Sequence, residues 1–167
     1  MSKGKFGFEV VRDDKRTAHD IFTDEKKVQH KFPCNITLPT RGSSKSAGYD
    51  FYVPKDIQIL PGQKTMFFTD VKAFMPDGYV LLVFIRSSMG IKHGLMLSNN
   101  VGVIDCDYYS NPDNDGNIAM SLVNTSGIAV NLKAGDRVAQ GIFVPFGVVD
   151  NDSTSEERIS GIGSTGK

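Results

Sequence analysis

The chain has 167 residues, 40% of them hydrophobic and 23% charged, which suffices for one domain with a real core. Its 19 basic and 19 acidic side chains cancel, so no net field draws it to DNA or to a membrane; any polyanion it binds must meet a local cluster of bases. No apolar run is long enough to span a bilayer and no secretory leader is apparent, and the two cysteines, Cys34 and Cys106, have no framework or metal-ligand spacing, which together predict reduced thiols in a cytoplasmic protein.

Phe6, Phe8 and Val10 alternate with Gly7 and Glu9, the period of an opening strand. Residues 12–33 are polar and charged and read as an insertion, with a short helix expected near 18–22. After a small-residue loop at 40–46 come short apolar runs split by turn signals: 49–53, 57–60, 65–74, 79–85, 94–97, 101–104, 118–123, 128–132 and 138–145. Only 86–93 could hold a helical turn or two. Many short strands at close spacing predict an all-β sandwich or barrel in a single domain over residues 1–150. The polar segment 151–167 cannot bury itself and is expected to act as a flexible C-terminal arm.

Chemistry concentrates in five blocks. In 102–108 an apolar strand ends in Asp105, so a carboxylate stands on a rigid support beside a pocket wall, where a general base or a metal ligand is useful; Tyr108 follows three residues later. Ser98-Asn99-Asn100 precedes it, and a buried Asn offers a donor and an acceptor to an imide edge. Ala47-Gly48 lets backbone approach closely before Asp50. Arg86-Ser87-Ser88 combines a guanidinium with two hydroxyls, a phosphate cradle if a helix starts there. Gly135-Asp136-Arg137-Val138-Ala139-Gln140 and the glycine and hydroxyl run 161–167 complete the set. Taken singly, each block has a plain reading as turn, surface loop or frayed end.

Together and in this order, the five blocks resemble the trimeric deoxyuridine triphosphatases (dUTPases) over residues 36–167. The match includes Thr40-Arg41-Gly42 and Lys92-His93-Gly94, and Val103-Ile104-Asp105 with Tyr108 is its most specific part. The resemblance implies an all-β, jelly-roll-like barrel in a homotrimer, with each active site shared among three chains. It implies hydrolysis of dUTP to dUMP and pyrophosphate, which limits uracil in DNA and supplies dUMP for dTMP synthesis. Asp105 would be the general base that aims water at the α-phosphorus. Tyr108 would stack on the deoxyribose and exclude a 2′-hydroxyl. Asn99, with backbone at Val103, Ile104 and Ala119, would read uracil. Arg86, Ser87, Ser88 and Gln140 would hold phosphates. Asp136 and Arg137 would organise the site, Arg137 bracing it through Asp136 or Asp50. Mg²⁺ would ride on the triphosphate, touching Asp50 only through water. The arm, 151–167, would close a neighbouring active site, with Arg158, Ser164 and Thr165 over the γ-phosphate. No membrane association or direct nucleic-acid binding is implied.

Three features depart from the family pattern. Ile162 stands where a Phe usually stacks on the base, and that stacking is worth about 1–3 kcal/mol. Tyr109-Ser110 replaces the usual Arg-Gly, and 111–115 reads as a longer polar hairpin tip, its Asp-x-Asn-x-Asp lacking the Glu of a Ca²⁺ loop. The insertion at 12–33 has no family role. His93 is expected to be structural and Cys106 to pack. A dCTP deaminase on the same fold is the first rival, but that chemistry needs a Glu, and residues 98–120 contain none. The second is a regulatory binding module, since dUTPases of some phages bind regulators through inserted segments; 12–31 and 111–115 would be the surfaces for such a protein partner.

Overall fold

The computed structural model describes residues 5–23, 25–27, 29–155 and 158. Its strands are β1 (Gly7–Val10), β2 (His19–Thr23), β3 (Gln29–Pro33), β4 (Thr40–Arg41), β5 (Tyr49–Tyr52), β6 (Ile57–Ile59), β7 (Lys64–Phe68), β8 (Val71–Phe74), β9 (Tyr79–Ile85), β10 (Leu95–Leu97), β11 (Gly102–Asp105), β12 (Ala119–Asn124), β13 (Val130–Leu132) and β14 (Arg137–Pro145), with one short helix, α1 (Ser87–His93), between β9 and β10. The architecture is all-β and jelly-roll-like, as expected. A five-stranded sheet runs β11-β9-β14-β5-β4, a three-stranded sheet β10-β12-β7, and three two-stranded ladders pair β1 with β8, β13 with β6 and β2 with β3. Among the described residues no sheet closes on itself.

β9 is the spine of the larger sheet. Its sequence, Tyr-Val-Leu-Leu-Val-Phe-Ile, is apolar on both faces and is flanked by β11 and β14. Leu81 is fully buried, and Phe51 of β5 packs into the same core with Ile59, Leu95, Ile118 and Leu122. β14 carries a bulge between Arg137 and Ala139, which lets Val138 and Ala139 both point inward at 0% exposure and returns Gln140 to the pairing opposite Asp50. Gly141 is obligatory for packing rather than for its dihedrals: a Cβ there would lie 2.8 Å from Leu81 Cδ1 and 2.9 Å from Phe51 Cε2.

Three expectations need correction. The run 65–74 is two strands, not one. The chain breaks at Thr69-Asp70, where Asp70 takes φ = +56° and β8 leaves the β7 sheet to pair with β1. The fully buried Asp70 carboxylate accepts the backbone N–H groups of Thr17 and Ala18, each at 2.9 Å, and Asn117 Nδ2 at 2.8 Å. The expected helix near 18–22 is strand instead: β2 and β3 form an antiparallel hairpin, His19 opposite Pro33. Ile21, Phe22 and Thr23 are β-formers, and no helical periodicity opposed them. The segment 111–115 is not a projecting hairpin tip either. Asn111 and Asp115 are buried at 4% and 3% exposure, and the loop folds back over Tyr108 and Lys72.

Candidate active site

The sequence-predicted residues fall into two groups. The first surrounds a cleft of about 360 Å³ lined by Asn99, Val103, Ile104, Asp105, Tyr108, Ala119, Ser121 and Arg158, with Met66, Val83 and Leu97 as apolar wall. β11 supplies Asp105 at its C-terminal end. This strand is at the edge of its sheet, paired to β9 on one side, so its other edge of backbone N–H and C=O groups is available to a ligand. Asp105 is extended (φ −73°, ψ 156°) and half-exposed, and the chain then turns through a single 3-10 turn, Cys106–Tyr108. That turn brings the Tyr108 ring round to the cleft. Asn99 is exposed in the chain, which corrects the expectation of a buried Asn; an occupant of the cleft would have to cover it.

Tyr108 is held at both ends. Its hydroxyl donates to Asn117 O at 2.8 Å and accepts from Asn114 Nδ2 at 2.8 Å, while its carbonyl accepts from Asn111 Nδ2 at 2.8 Å. Burial pushes the phenol above its ordinary pKa, so the hydroxyl keeps its proton at neutral pH. Burial, with Asp77 and Asp107 nearby, likewise raises the Cys106 thiol, which is therefore no ready nucleophile.

Arg158 lies in this chain's own cleft. Its Nη2 donates to Asp105 Oδ2 at 2.5 Å, its Nε donates to Asp107 Oδ1 at 2.8 Å, and its guanidinium carbon sits 5.8 Å from the centre of the Tyr108 ring. Asp107 as a partner of Arg158 was not anticipated; the only signal was its place two residues after Asp105. Ser164, Thr165 and Ile162 lie outside the described residues.

The second group is a charge cluster on β5, β14 and the start of α1. Asp50, 7% exposed, is clamped by two guanidiniums: Arg86 Nε at 3.0 Å from Oδ1 and Arg137 Nη1 at 3.2 Å from Oδ2. One carboxylate between two cations leaves a net positive cluster, suited to an anion. Gln140 stands opposite Asp50, and its amide lies over Gly48, where a Cβ would come within 2.6 Å of Oε1. Ser87 and Ser88 open α1 immediately after Arg86. Of the two braces considered for Arg137, it meets Asp50. The Asp136 carboxylate instead accepts Lys133 N–H at 2.8 Å, stabilising its own turn. Among the described residues, no group of three or more His, Cys, Asp or Glu converges as a metal cage.

The two groups lie at opposite ends of β9. Asp105 pairs with Val80, while Arg86 follows Ile85, six residues on. At about 3.3 Å per residue the separation is roughly 20 Å along the strand.

Residues 34–166 match the family model for dUTPase. The chain is 45% identical over 133 residues to a deoxyuridine 5′-triphosphate nucleotidohydrolase of Lactococcus lactis, covering 78% of this chain and 89% of that protein. A Bordetella avium protein of the same description is 37% identical over 138 residues, with the same coverage. The crystal structure of a dUTPase from Streptococcus mutans superimposes with a TM-score of 0.69 at 41% identity, covering 87% of this chain and 99% of that one. The match begins at Cys34, immediately after the β2–β3 hairpin. From there to the C-terminal arm, this chain belongs to the dUTPase family.

Proposed function

We propose that this protein is a dUTP diphosphatase, hydrolysing dUTP to dUMP and pyrophosphate at a site completed by a second and a third copy of the chain. The observation that carries the reading is Asp105: a carboxylate at the end of an edge strand, on the rim of a cleft whose other walls, Arg158 apart, are apolar or neutral. Such a carboxylate accepts a proton from water and aims the oxygen at the α-phosphorus. The free edge of β11, Ala119 and Asn99 offer donors and acceptors to one face of uracil. A cytosine there would leave polar groups unpaired, at about 1–3 kcal/mol each. Tyr108 lies against the sugar.

The phosphates need cations, and none of the Arg86 cluster reaches this cleft within one chain. A homotrimer that sets one chain's Arg86, Ser87, Ser88 and Gln140 against the next chain's Asp105 supplies the missing half. Arg137 and Asp50 hold Arg86 in place. In the single chain Arg158 rests on its own Asp105 and Asp107; in the trimer the arm, residues 151–167, would leave them, freeing the base, and carry Arg158, Ser164 and Thr165 to the phosphates of a neighbouring site, so that a third chain closes each one.

The donor set fits Mg²⁺ that arrives on the triphosphate rather than a resident ion, because both Asp50 oxygens already accept from guanidiniums and could reach a cation only through its water. Bound Mg²⁺ would neutralise phosphate charge and ease departure of pyrophosphate. In the cell this reaction would limit uracil in DNA and provide dUMP for dTMP synthesis. Pyrophosphate release measured across dUTP, UTP, dCTP and dTTP, with and without Mg²⁺, tests the reading. Turnover of dUTP that needs Mg²⁺ and far exceeds the others is expected; equal turnover of the four, or ammonia released from dCTP, would overturn it.

A further inference from the structure

Residues 110–117, which include most of the 109–115 departure from the family pattern, are folded into a cast around Tyr108. Gly116 (φ = +82°) passes so close that a Cβ would lie 2.8 Å from Tyr108 O. Asn114 gives Nδ2 to the Tyr108 hydroxyl at 2.8 Å and uses its Oδ1 to accept from Asn111 Nδ2 (2.8 Å) and Gly116 N–H (3.0 Å). Asn117, whose carbonyl takes the Tyr108 O–H, is itself locked to the buried Asp70: its Oδ1 accepts Asp70 N–H at 2.9 Å and its Nδ2 donates to Asp70 Oδ1 at 2.8 Å. One face of the ring meets the cleft, and the hydroxyl points away from it into this cast. A ring pinned only at its backbone end can swing back and admit an extra oxygen on the sugar. One pinned also at its hydroxyl cannot.

We propose that the 110–117 loop sets sugar specificity by fixing Tyr108 from behind, with Asn114 as the positioning residue that makes the cleft reject a 2′-hydroxyl. This rests on the reading of the cleft as a dUTP site. It assigns the discrimination against UTP to the tie between asparagine and phenol as well as to the ring itself.

The test is kcat/KM for dUTP and for UTP in the wild-type protein, Asn114→Ala, Tyr108→Phe and the double variant. Tyr108→Phe keeps the ring and removes only the tied hydroxyl, so it serves even if Asn114→Ala folds poorly. Each single variant is expected to lower the dUTP-to-UTP ratio roughly five- to tenfold, the size of one neutral hydrogen bond, mostly through better use of UTP. The double variant should be no worse than Tyr108→Phe alone, because loss of the hydroxyl already cuts the tie to Asn114. Single variants that melt earlier but keep the wild-type ratio would overturn the proposal and reduce the loop to a structural clasp. Fully additive losses would overturn it too. A wild-type protein without preference for dUTP over UTP would instead sink the functional reading beneath it.

Discussion

The two ends of β9 solve different problems. At the Val80 end, the cleft beside Asp105 is built from a free strand edge, a clamped tyrosine and neutral amides, which recognise shape and hydrogen-bond pattern. At the Ile85 end, Asp50 holds two guanidiniums in place, which recognises charge and little else. The first end is specific but carries, Arg158 apart, no cation for a triphosphate. The second has cations but neither base nor cleft. The strand keeps the two groups roughly 20 Å apart, so on the proposed reading neither half suffices on its own chain. The proposed symmetric assembly would turn that separation into a site at every interface.

The largest expected effect attacks the first end. Asp105→Asn should lower kcat about a thousandfold, the weight of a positioned base, while binding of a non-hydrolysable dUTP analogue, followed by calorimetry, survives. Arg86→Ala should lower kcat/KM for dUTP by about a hundredfold. Mixing these two inactive proteins after mild dissociation sharpens the comparison: random reassembly should recover roughly a quarter of wild-type activity, because some interfaces combine an intact Asp105 with an intact Arg86. No recovery would mean that one chain holds the whole site. Arg137→Ala, which leaves the Arg86–Asp50 pair standing, should cost only several-fold in KM, read by steady-state kinetics.

The smallest effect on activity comes from Asp115 in the 110–117 loop behind Tyr108, where the change falls on stability instead. Burial works against the Asp115 carboxylate, but hydrogen bonds from Arg12 N–H and the Lys72 ammonium outweigh it and hold its pKa below the ordinary value. A lowered folded-state pKa adds stability above the unfolded value, about 4, and that stability fades as pH falls below it toward the folded value. Asp115→Ala should therefore cost about 2 kcal/mol near neutrality, less than a fully isolated pair because Glu9 also lies 3.8 Å from Lys72. Urea titrations at several pH values should show the wild-type advantage shrinking under acid.

Much of this was legible in the residues. The apolar runs at 79–85 and 118–123 read as strands, and the structure has β9 and β12 there. The Asp105 block read directly, since a strand followed by an acid and an aromatic is a local pattern. Other features were not local. Nothing near Asp70 announces that its carboxylate holds a segment some fifty residues away, so the break in 65–74 and the docking of the N-terminal excursion were invisible. The polar run after Tyr109 looked like a loop tip because asparagines favour turns; only the neighbouring hydroxyl and carbonyls made them buried ligands of Tyr108.

Local spacing thus determined which side chains could do chemistry here, since strand period, turn residues and motif order are written along the chain. Tertiary structure alone decided which of them meet. Asp50 finds Arg86 and Arg137, Asp136 turns to its own loop, and Arg158 settles on Asp105 and Asp107. Pairings between charges far apart in sequence depend on strand register and on the bulge in β14, and register is set by how a whole core packs, which no short window of sequence contains.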